Sequence, residues 1–135
     1  MLMVSAEHEI LKKFKSIAVV GCSAHEEKPS HFVPKYLQEH GYRIIPINPN
    51  ALEILGEKVF PSLEEAAKKE KIEAVDVFRP SEEAEKVTEQ AIKAGAKAVW
   101  LQEGIESDKA KEKAEKAGIL FVQNKCMKKE LEKME

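Results

Sequence analysis

The chain has 135 residues, of which 43% are hydrophobic and 34% charged, and its net charge is −2 at pH 7. We expect residues 1–135 to form one domain, because this length suits a single hydrophobic core. The near-neutral charge argues against a general nucleic-acid surface, and no window contains the roughly 18 apolar residues of a membrane span. A disulfide framework is not expected, since the two cysteines lie far apart without a repeated or metal-ligand spacing.

The charged residues are almost entirely lysine and glutamate: 20 Lys and 22 Glu stand against 2 Arg and 2 Asp. Such a bias is typical of hyperthermophile proteins, and it concerns stability rather than chemistry. Residues 1–15 are too charged for a secretory signal, and the cysteine usage suits a reducing compartment. We therefore expect a cytoplasmic protein.

A strand, a turn and a helix are predicted around Gly21. Residues 17–20 form an unbroken apolar run, which indicates a strand buried on both faces of a parallel sheet. A helix begins near Pro29, which is favoured at a first helical position, and ends at Gly41. A helix N-terminus after a glycine turn presents backbone N–H groups to an anion, so residues 21–30 are predicted to bind phosphate.

The rest of the chain alternates strands and helices. Ser5 and Ser107 are each predicted to cap a helix, the first of them before the first strand, and Ser62 is predicted to form a capping box with Glu65. Further strands are predicted at residues 42–47, 74–78, 97–102 and 119–122, further helices at 63–69, from 81, from 107 and after 124, and an irregular segment at 56–61. Five strands alternating with helices predict an α/β fold with a doubly wound, five-stranded parallel sheet, Rossmann-like or flavodoxin-like.

Ligands of such sheets bind beyond the carboxyl ends of the strands. The loops in question are residues 21–30, 48–50, 79–81, 102–104 and 124–126. The dinucleotide fingerprint is incomplete, because Ser23 and Glu26 stand where it has its second and third glycines. The acid that would bind an adenosine ribose is also absent, since the second strand is followed by Asn48-Pro49-Asn50. These two features disfavour NAD.

The same loop favours a phosphorylated ribose. A carboxylate there would repel a ribose phosphate, whereas the side chains of Asn48 and Asn50 tolerate one. The ring of Pro49 offers a flat apolar face for an adenine. A phosphorylated adenosine with a pyrophosphate describes both coenzyme A and NADP.

Several segments, in order and spacing, resemble the small stand-alone CoA-binding proteins and the similar N-terminal domains of the succinyl-CoA synthetase α subunit and the ADP-forming acyl-CoA synthetases. The segments are residues 17–23, 28–30, 36–42, 46–49, 75–79, 95–102 and 103–105. The resemblance extends from about residue 10 to residue 126. It implies a Rossmann-like CoA-binding domain that binds coenzyme A or an acyl-CoA, and acyl-CoA synthetase-type domains as possible partners.

The resemblance also implies where each part of coenzyme A binds. Phosphates are expected around residues 21–23 and 28–30, adenine near Asn48 and Pro49, and pantetheine along residues 79–80 and 102–103. The complete candidate set is Gly21, Cys22, Ser23, Ala24, Lys28, Pro29, Ser30, Asn48, Pro49, Asn50, Arg79, Pro80, Gln102 and Glu103.

One position departs from the synthetase pattern. The synthetases have a lysine just after the proline that follows the second strand, where this chain has Asn50 and Ala51. A phosphate contact is therefore either absent in this chain or supplied by Lys28, Lys58 or Arg79. Arg79 is one of two arginines and follows a strand, so it is predicted to bind a ligand or to form an ion pair in the cleft.

Cys22 has two open interpretations. Beside a helix N-terminus its pKa would be lowered, and its thiolate could then form a mixed disulfide with the thiol of coenzyme A. The favoured interpretation is a buried, inert thiol. Cys126 is expected to pack near the end of the fifth strand, although pantetheine could also reach it. For His25 and His31, noncatalytic roles are favoured.

No nucleophile with a base at recognisable spacing and no metal-ligand cluster is found, so we expect binding without catalysis and without a metal. The alternative is an NAD(P)-dependent oxidoreductase or redox-sensing module, which Gly21 and the fold support. A third possibility is a subunit that docks onto synthetase partner domains.

Overall fold

The computed structural model of the protein describes residues 5–135. The elements in chain order are α1 (Ala6–Lys13), β1 (Ser16–Val20), α2 (Pro29–Glu39), β2 (Arg43–Ile47), β3 (Glu53–Ile54), β4 (Glu57–Lys58), α3 (Leu63–Ala67), β5 (Ala74–Val77), α4 (Ser81–Lys93), β6 (Ala98–Leu101), α5 (Asp108–Lys116), β7 (Leu120–Val122) and α6 (Met127–Met134). In that part of the chain no helix is long and apolar enough to cross a membrane.

Five of the strands form one parallel sheet in the order β2-β1-β5-β6-β7. β1, the first strand along the chain, lies inside the sheet. β2 pairs with one edge of β1, and β5, β6 and β7 follow in sequence from its other edge. This confirms the predicted doubly wound α/β fold and gives it the flavodoxin-like order. The switch point, where such sheets bind their ligands, therefore lies between β1 and β5.

Helices cover both faces of the sheet. Ile10, Leu37 and Met127, from α1, α2 and α6, belong to the core cluster on one face, which also contains the fully buried ring of Trp100. Leu63 and Ala84 belong to the cluster on the other face, beneath α3 and α4. Burial on both faces explains why the strand segments are continuously apolar rather than alternating.

Three predicted helix caps are confirmed by hydrogen bonds. The hydroxyls of Ser5, Ser62 and Ser107 accept from the backbone N–H groups three residues later, at 3.2, 3.2 and 3.1 Å. Each bond satisfies one of the donors that a helix N-terminus leaves unpaired.

The segment between β2 and α3 differs from the prediction. β3 and β4 form an antiparallel hairpin whose turn residues, Leu55 and Gly56, have φ angles of 57° and 75°. Two consecutive residues with positive φ are typical of a type I′ turn, which propensity does not predict for leucine. Phe60 then pairs with Ile47 at the end of β2. The prediction of an irregular segment was wrong, and α3 also ends two residues early, at Ala67.

Candidate functional site

Two adjoining cavities lie at the carboxyl end of the sheet. The first cavity has a volume of about 780 Å³ and lies beyond β1, β2 and β5. The second cavity has a volume of about 390 Å³ and lies between α2, the loop after β6 and the start of α6. Lys28, Ser30 and Phe78 line both, so the two cavities are neighbours, and together they are called the cleft below.

Most of the candidate residues line this cleft. The first cavity contains Gly21, Cys22, Ser23, Asn48, Pro49, Asn50 and Arg79, the second contains Pro29, Gln102 and Glu103, and Lys28 and Ser30 border both. Two candidates line neither cavity. Ala24 is exposed on the turn, and Pro80 is the N-cap residue of α4.

The turn after β1 requires glycine at position 21. Gly21 has a φ of 87°, and a Cβ atom there would lie 3.1 Å from Cδ of Arg79 and 3.2 Å from the carbonyl oxygen of Phe78. The backbone conformation and the close approach of β5 each disfavour any side chain. Gly21 thus lets the turn after β1 pack directly on the end of β5.

The backbone of this turn has N–H groups available for an anion. The amides of Gly21 and Ser23 donate to the carbonyls of Ile47 and Ser30, both at 3.1 Å. By contrast, the amides of Cys22, Ala24 and Ser30 donate to no acceptor among the described residues. Ser30 lies in the first turn of α2, where the helix dipole also favours negative charge.

Two side chains hold the turn in place. Asn48 donates from Nδ2 to the carbonyl of Cys22 at 2.9 Å, while its Oδ1 accepts from the amide of Asn50 at 2.7 Å. Buried His31 donates from Nδ1 to the carbonyl of Ser23 at 2.7 Å. Asn48 and His31 therefore fix the backbone that would face the ligand. His25 is exposed, as expected.

The positive charges of the first cavity differ in how they are compensated. The guanidinium of Arg79 is bound by the carboxylate of Glu83, with Nε–Oε1 and Nη2–Oε2 distances of 3.2 and 3.0 Å. Lys28 and Lys86 also line the cavity, and neither forms an ion pair with any residue between 5 and 135. These two ammonium groups remain available to a phosphate.

Arg79 thus forms the cleft ion pair that was one of its two predicted roles. Lys58, one of the candidates for the missing phosphate contact, lies elsewhere. Its Nζ is 5.4 Å from the ring centroid of Phe60, and it lines neither cavity. Lys28 and Arg79, which both line the first cavity, remain the predicted candidates for this contact.

Sequence reasoning missed the wall that α4 contributes to the first cavity. Glu83, Lys86, Val87 and Gln90 line it at positions i, i+3, i+4 and i+7 of the helix, which is the spacing of one helical face. The four-residue spacing between Arg79 and Glu83 was a usable signal for their ion pair. Phe32, Val33, Ile105 and Lys129 of the second cavity were also missed.

The expectation of a lowered pKa at Cys22 was wrong. Cys22 is fully buried, and burial raises the pKa of its thiol to about 12, with a further increase from the nearby charge of Asp76. Loss of hydration outweighs the hydrogen bond from the backbone of Ser23, which by itself would lower the pKa. The thiol of Cys22 is therefore protonated at neutral pH and inert, whereas Cys126 lines the second cavity as the N-cap residue of α6.

A second buried titratable group lies beside the cleft. Asp76 is fully buried in β5, and burial raises its pKa from 3.8 to about 7, partly opposed by a hydrogen bond from Gln102. Among residues 5–135, no group of three or more His, Cys, Asp or Glu side chains could hold a metal ion.

Comparison with known proteins shows which proteins this chain resembles. Residues 15–132 match the family described as CoA binding domain. The uncharacterized protein YneT of Bacillus subtilis (strain 168) is 38% identical over 120 residues, which cover 89% of this chain and 87% of YneT. A hypothetical protein from Pyrococcus horikoshii OT3 has a similar solved structure, with a TM-score of 0.90, 42% identity, and coverage of 96% of this chain and 92% of that chain.

A larger enzyme contains a similar unit. The dinucleotide-forming acetyl-coenzyme A synthetase 1 of Ca. Korarchaeum cryptofilum, solved in complex with phosphate and ADP, is 25% identical with a TM-score of 0.71. The match covers 89% of this chain and 28% of the synthetase chain.

Proposed function

Because this chain belongs to the CoA-binding domain family, we propose that it binds coenzyme A in the cleft formed by the two cavities, without catalysing a reaction of its own. The observation that carries the proposal is the turn after β1. The amides of Cys22 and Ala24 in this turn, and of Ser30 in the first turn of α2 that follows it, have no acceptor in the described chain. Such a turn suits the pyrophosphate of a nucleotide.

The two ends of the cleft suit the two ends of coenzyme A. On the β2 side, Pro49 and Asn50 border the first cavity, and we assign the adenosine to this end. On the β6 side, Gln102 borders the second cavity and forms the place for the pantetheine arm. A ligand bound in this way extends across the sheet from β2 past β1 and β5 to β6.

The ribose phosphate is the group that distinguishes coenzyme A from its dephospho form. We assign its contact to Lys86, which lines the first cavity from α4. Lys86 thereby replaces the lysine that the synthetases have where this chain has Asn50 or Ala51. Lys28, at the turn, is assigned to the pyrophosphate.

Binding without catalysis is proposed because the candidate groups in the cleft are occupied or protonated. Cys22 is a neutral thiol, His31 donates its Nδ1 proton to a backbone carbonyl, and Arg79 is neutralised by Glu83. A partner domain of the acyl-CoA synthetase type is the candidate recipient of the bound ligand, since the matched synthetase contains this unit as 28% of its chain.

Calorimetric titration of the protein with coenzyme A, NADP and NAD tests the proposal. We expect coenzyme A to bind most tightly, because its pantetheine arm alone would use the second cavity. Tightest binding by NAD or NADP would favour the oxidoreductase alternative, and a change of absorbance at 340 nm with NAD(P)H and a metabolite panel would establish it.

A further inference from the structure

The second cavity lies on the path of the reactive end of the ligand. Adjacent strands are about 4.8 Å apart, so β6 lies roughly 10 Å across the sheet from β1 and its phosphate-binding turn. The cavity beside β6 is on the opposite side of this turn from Pro49. A coenzyme A molecule with its adenine at Pro49 therefore directs its sulfur toward the second cavity.

The lining of the second cavity suits an apolar group in addition to the thiol of coenzyme A. Phe32, Val33 and Ile105 contribute apolar surface to it. The side chain of Phe32 is 40% exposed, and the other large hydrophobic side chain exposed between residues 5 and 135 is Leu52, which lines neither cavity. An exposed aromatic ring beside a cavity becomes buried when an apolar group occupies that cavity.

The size of the second cavity also exceeds the needs of a thiol. Its volume of about 390 Å³ falls within the range of roughly 300 to 1,000 Å³ in which proteins bind whole small molecules. The cysteamine end of the pantetheine arm fills part of this volume. The remainder is available to a group attached to the sulfur.

The charges around the second cavity favour an uncharged group. Lys129 and Glu103 both line it, and their side chains form an ion pair at 3.0 Å. The third charged lining residue is Lys28, which is shared with the first cavity and assigned to the pyrophosphate. No cation that lines the cavity is thus left for an acyl group that ends in a carboxylate, and Lys128, whose Nζ lies 5.7 Å from the ring centroid of Phe32, is outside the lining.

We propose that the second cavity binds the acyl group of a short-chain, uncharged acyl-CoA, and that such a thioester is preferred over free coenzyme A. The inference rests on the proposed function, because the acyl group reaches this cavity only when the phosphates occupy the turn after β1. The apolar wall formed by Phe32, Val33 and Ile105 is the surface that the acyl chain covers.

A chain-length series tests the proposal. The wild-type protein is titrated by calorimetry with coenzyme A and with its acetyl, butyryl, hexanoyl and succinyl thioesters. We expect affinity to rise about two- to fourfold for each methylene group until the cavity is filled, because each one removes apolar surface from water. Succinyl-CoA should bind more weakly than butyryl-CoA.

Two variants locate the effect. Ile105→Trp narrows the cavity and Phe32→Ala removes part of its wall, so each should reduce the gain in affinity from acetyl-CoA to butyryl-CoA, with the affinity of the same variant for free coenzyme A as its reference. Leu52→Trp is the matched control, since Leu52 is exposed and outside both cavities. Circular dichroism establishes that each variant is folded. If Ile105→Trp does not fold, the wild-type series and Phe32→Ala decide the matter.

The outcomes separate this inference from the proposed function. Equal affinities for coenzyme A and butyryl-CoA, or a gain that persists in a folded Ile105→Trp or Phe32→Ala, would overturn the acyl pocket and leave coenzyme A binding intact. Absence of binding by every CoA compound would overturn both.

Discussion

The side-chain amide of Gln102 donates a hydrogen bond of 2.6 Å to Oδ1 of Asp76, whereas Oδ2 of Asp76 has no partner in the described chain. Oε1 of the same Gln102 accepts from the backbone of Met127 at 3.4 Å, so one amide joins β5 to the start of α6. Gln102 also lines the second cavity. A fully buried carboxyl group whose pKa is about 7 is therefore one hydrogen bond away from the cleft.

Asp76→Asn should flatten the dependence of stability on pH. The folded-state pKa lies above the unfolded value, so wild-type stability from this group is complete below about pH 4, declines as pH rises to about 7, and is constant above. The full shift corresponds to about 4 kcal/mol in the free energy of unfolding. The measurement is urea unfolding between pH 4 and pH 8.

The neutral amide in Asp76→Asn has no charge to gain over this range, so the difference between wild type and variant should itself change with pH. Glu82→Gln serves as a control because Glu82 is exposed on α4. Parallel stability curves for wild type and Asp76→Asn would show that the carboxyl keeps an ordinary pKa.

Gly21→Ala should reduce both stability and ligand binding. A side chain at a φ of 87° costs about 1 to 2 kcal/mol, and the contacts with Arg79 and Phe78 at 3.1 and 3.2 Å add to this cost. Gly56→Ala is the matched control, since Gly56 has a φ of 75° but no atom within 4 Å of the added Cβ. Chemical unfolding and titration with coenzyme A measure the two effects.

In Gly56→Ala we expect a loss of stability from backbone strain alone and unchanged affinity for coenzyme A. If Gly21→Ala binds coenzyme A as tightly as wild type does, the turn is not the phosphate site.

The two unpaired lysines of the first cavity should differ in what they recognise. Lys86→Met is expected to weaken coenzyme A about tenfold and dephospho-CoA little, because the lost charge-assisted hydrogen bond involves only the ribose phosphate. Lys28→Met should weaken both ligands alike. Lys93→Met, on the exposed surface of the same helix as Lys86, controls for a general change of charge.

These affinities are measured by calorimetry at one fixed ionic strength. If Lys86→Met loses the same affinity for coenzyme A as for dephospho-CoA, the ribose phosphate does not bind near α4.

Cys22 should resist alkylation in the folded protein. Its thiol is buried and its pKa is about 12, so the thiolate that reacts with iodoacetamide is scarce at pH 8. Peptide mass spectrometry after timed labelling should detect modification of Cys22 only when urea is added. Rapid labelling of Cys22 without urea would contradict this prediction and favour the interpretation of Cys22 as a reactive thiol.

The sequence was sufficient to predict the fold because its signals are local. Ser5, Ser62 and Ser107 each stand just before a helix whose N-terminus they cap, and the apolar runs of the strands reflect burial on both faces. The positions of the candidate loops follow from the same pattern, since parallel strands place their carboxyl ends at one edge of the sheet.

Features that depend on contacts between distant segments could not be predicted in this way. The hydrogen bond from Gln102 to Asp76 joins residues 26 positions apart, and it exists because β5 and β6 are neighbours. The burial that raises the pKa of Cys22 likewise comes from the surrounding core cluster rather than from the turn itself. Lys86 lines the cleft from α4, whose position is set by its packing against β5, β6 and the neighbouring helices.

A crystal structure of the protein in complex with coenzyme A tests the central claim most directly. We predict that the pyrophosphate accepts hydrogen bonds from the amides of Cys22, Ala24 and Ser30, with the adenine against Pro49 and the sulfur in the second cavity. Coenzyme A bound at another surface, or oriented with its adenine in the second cavity, would contradict this account.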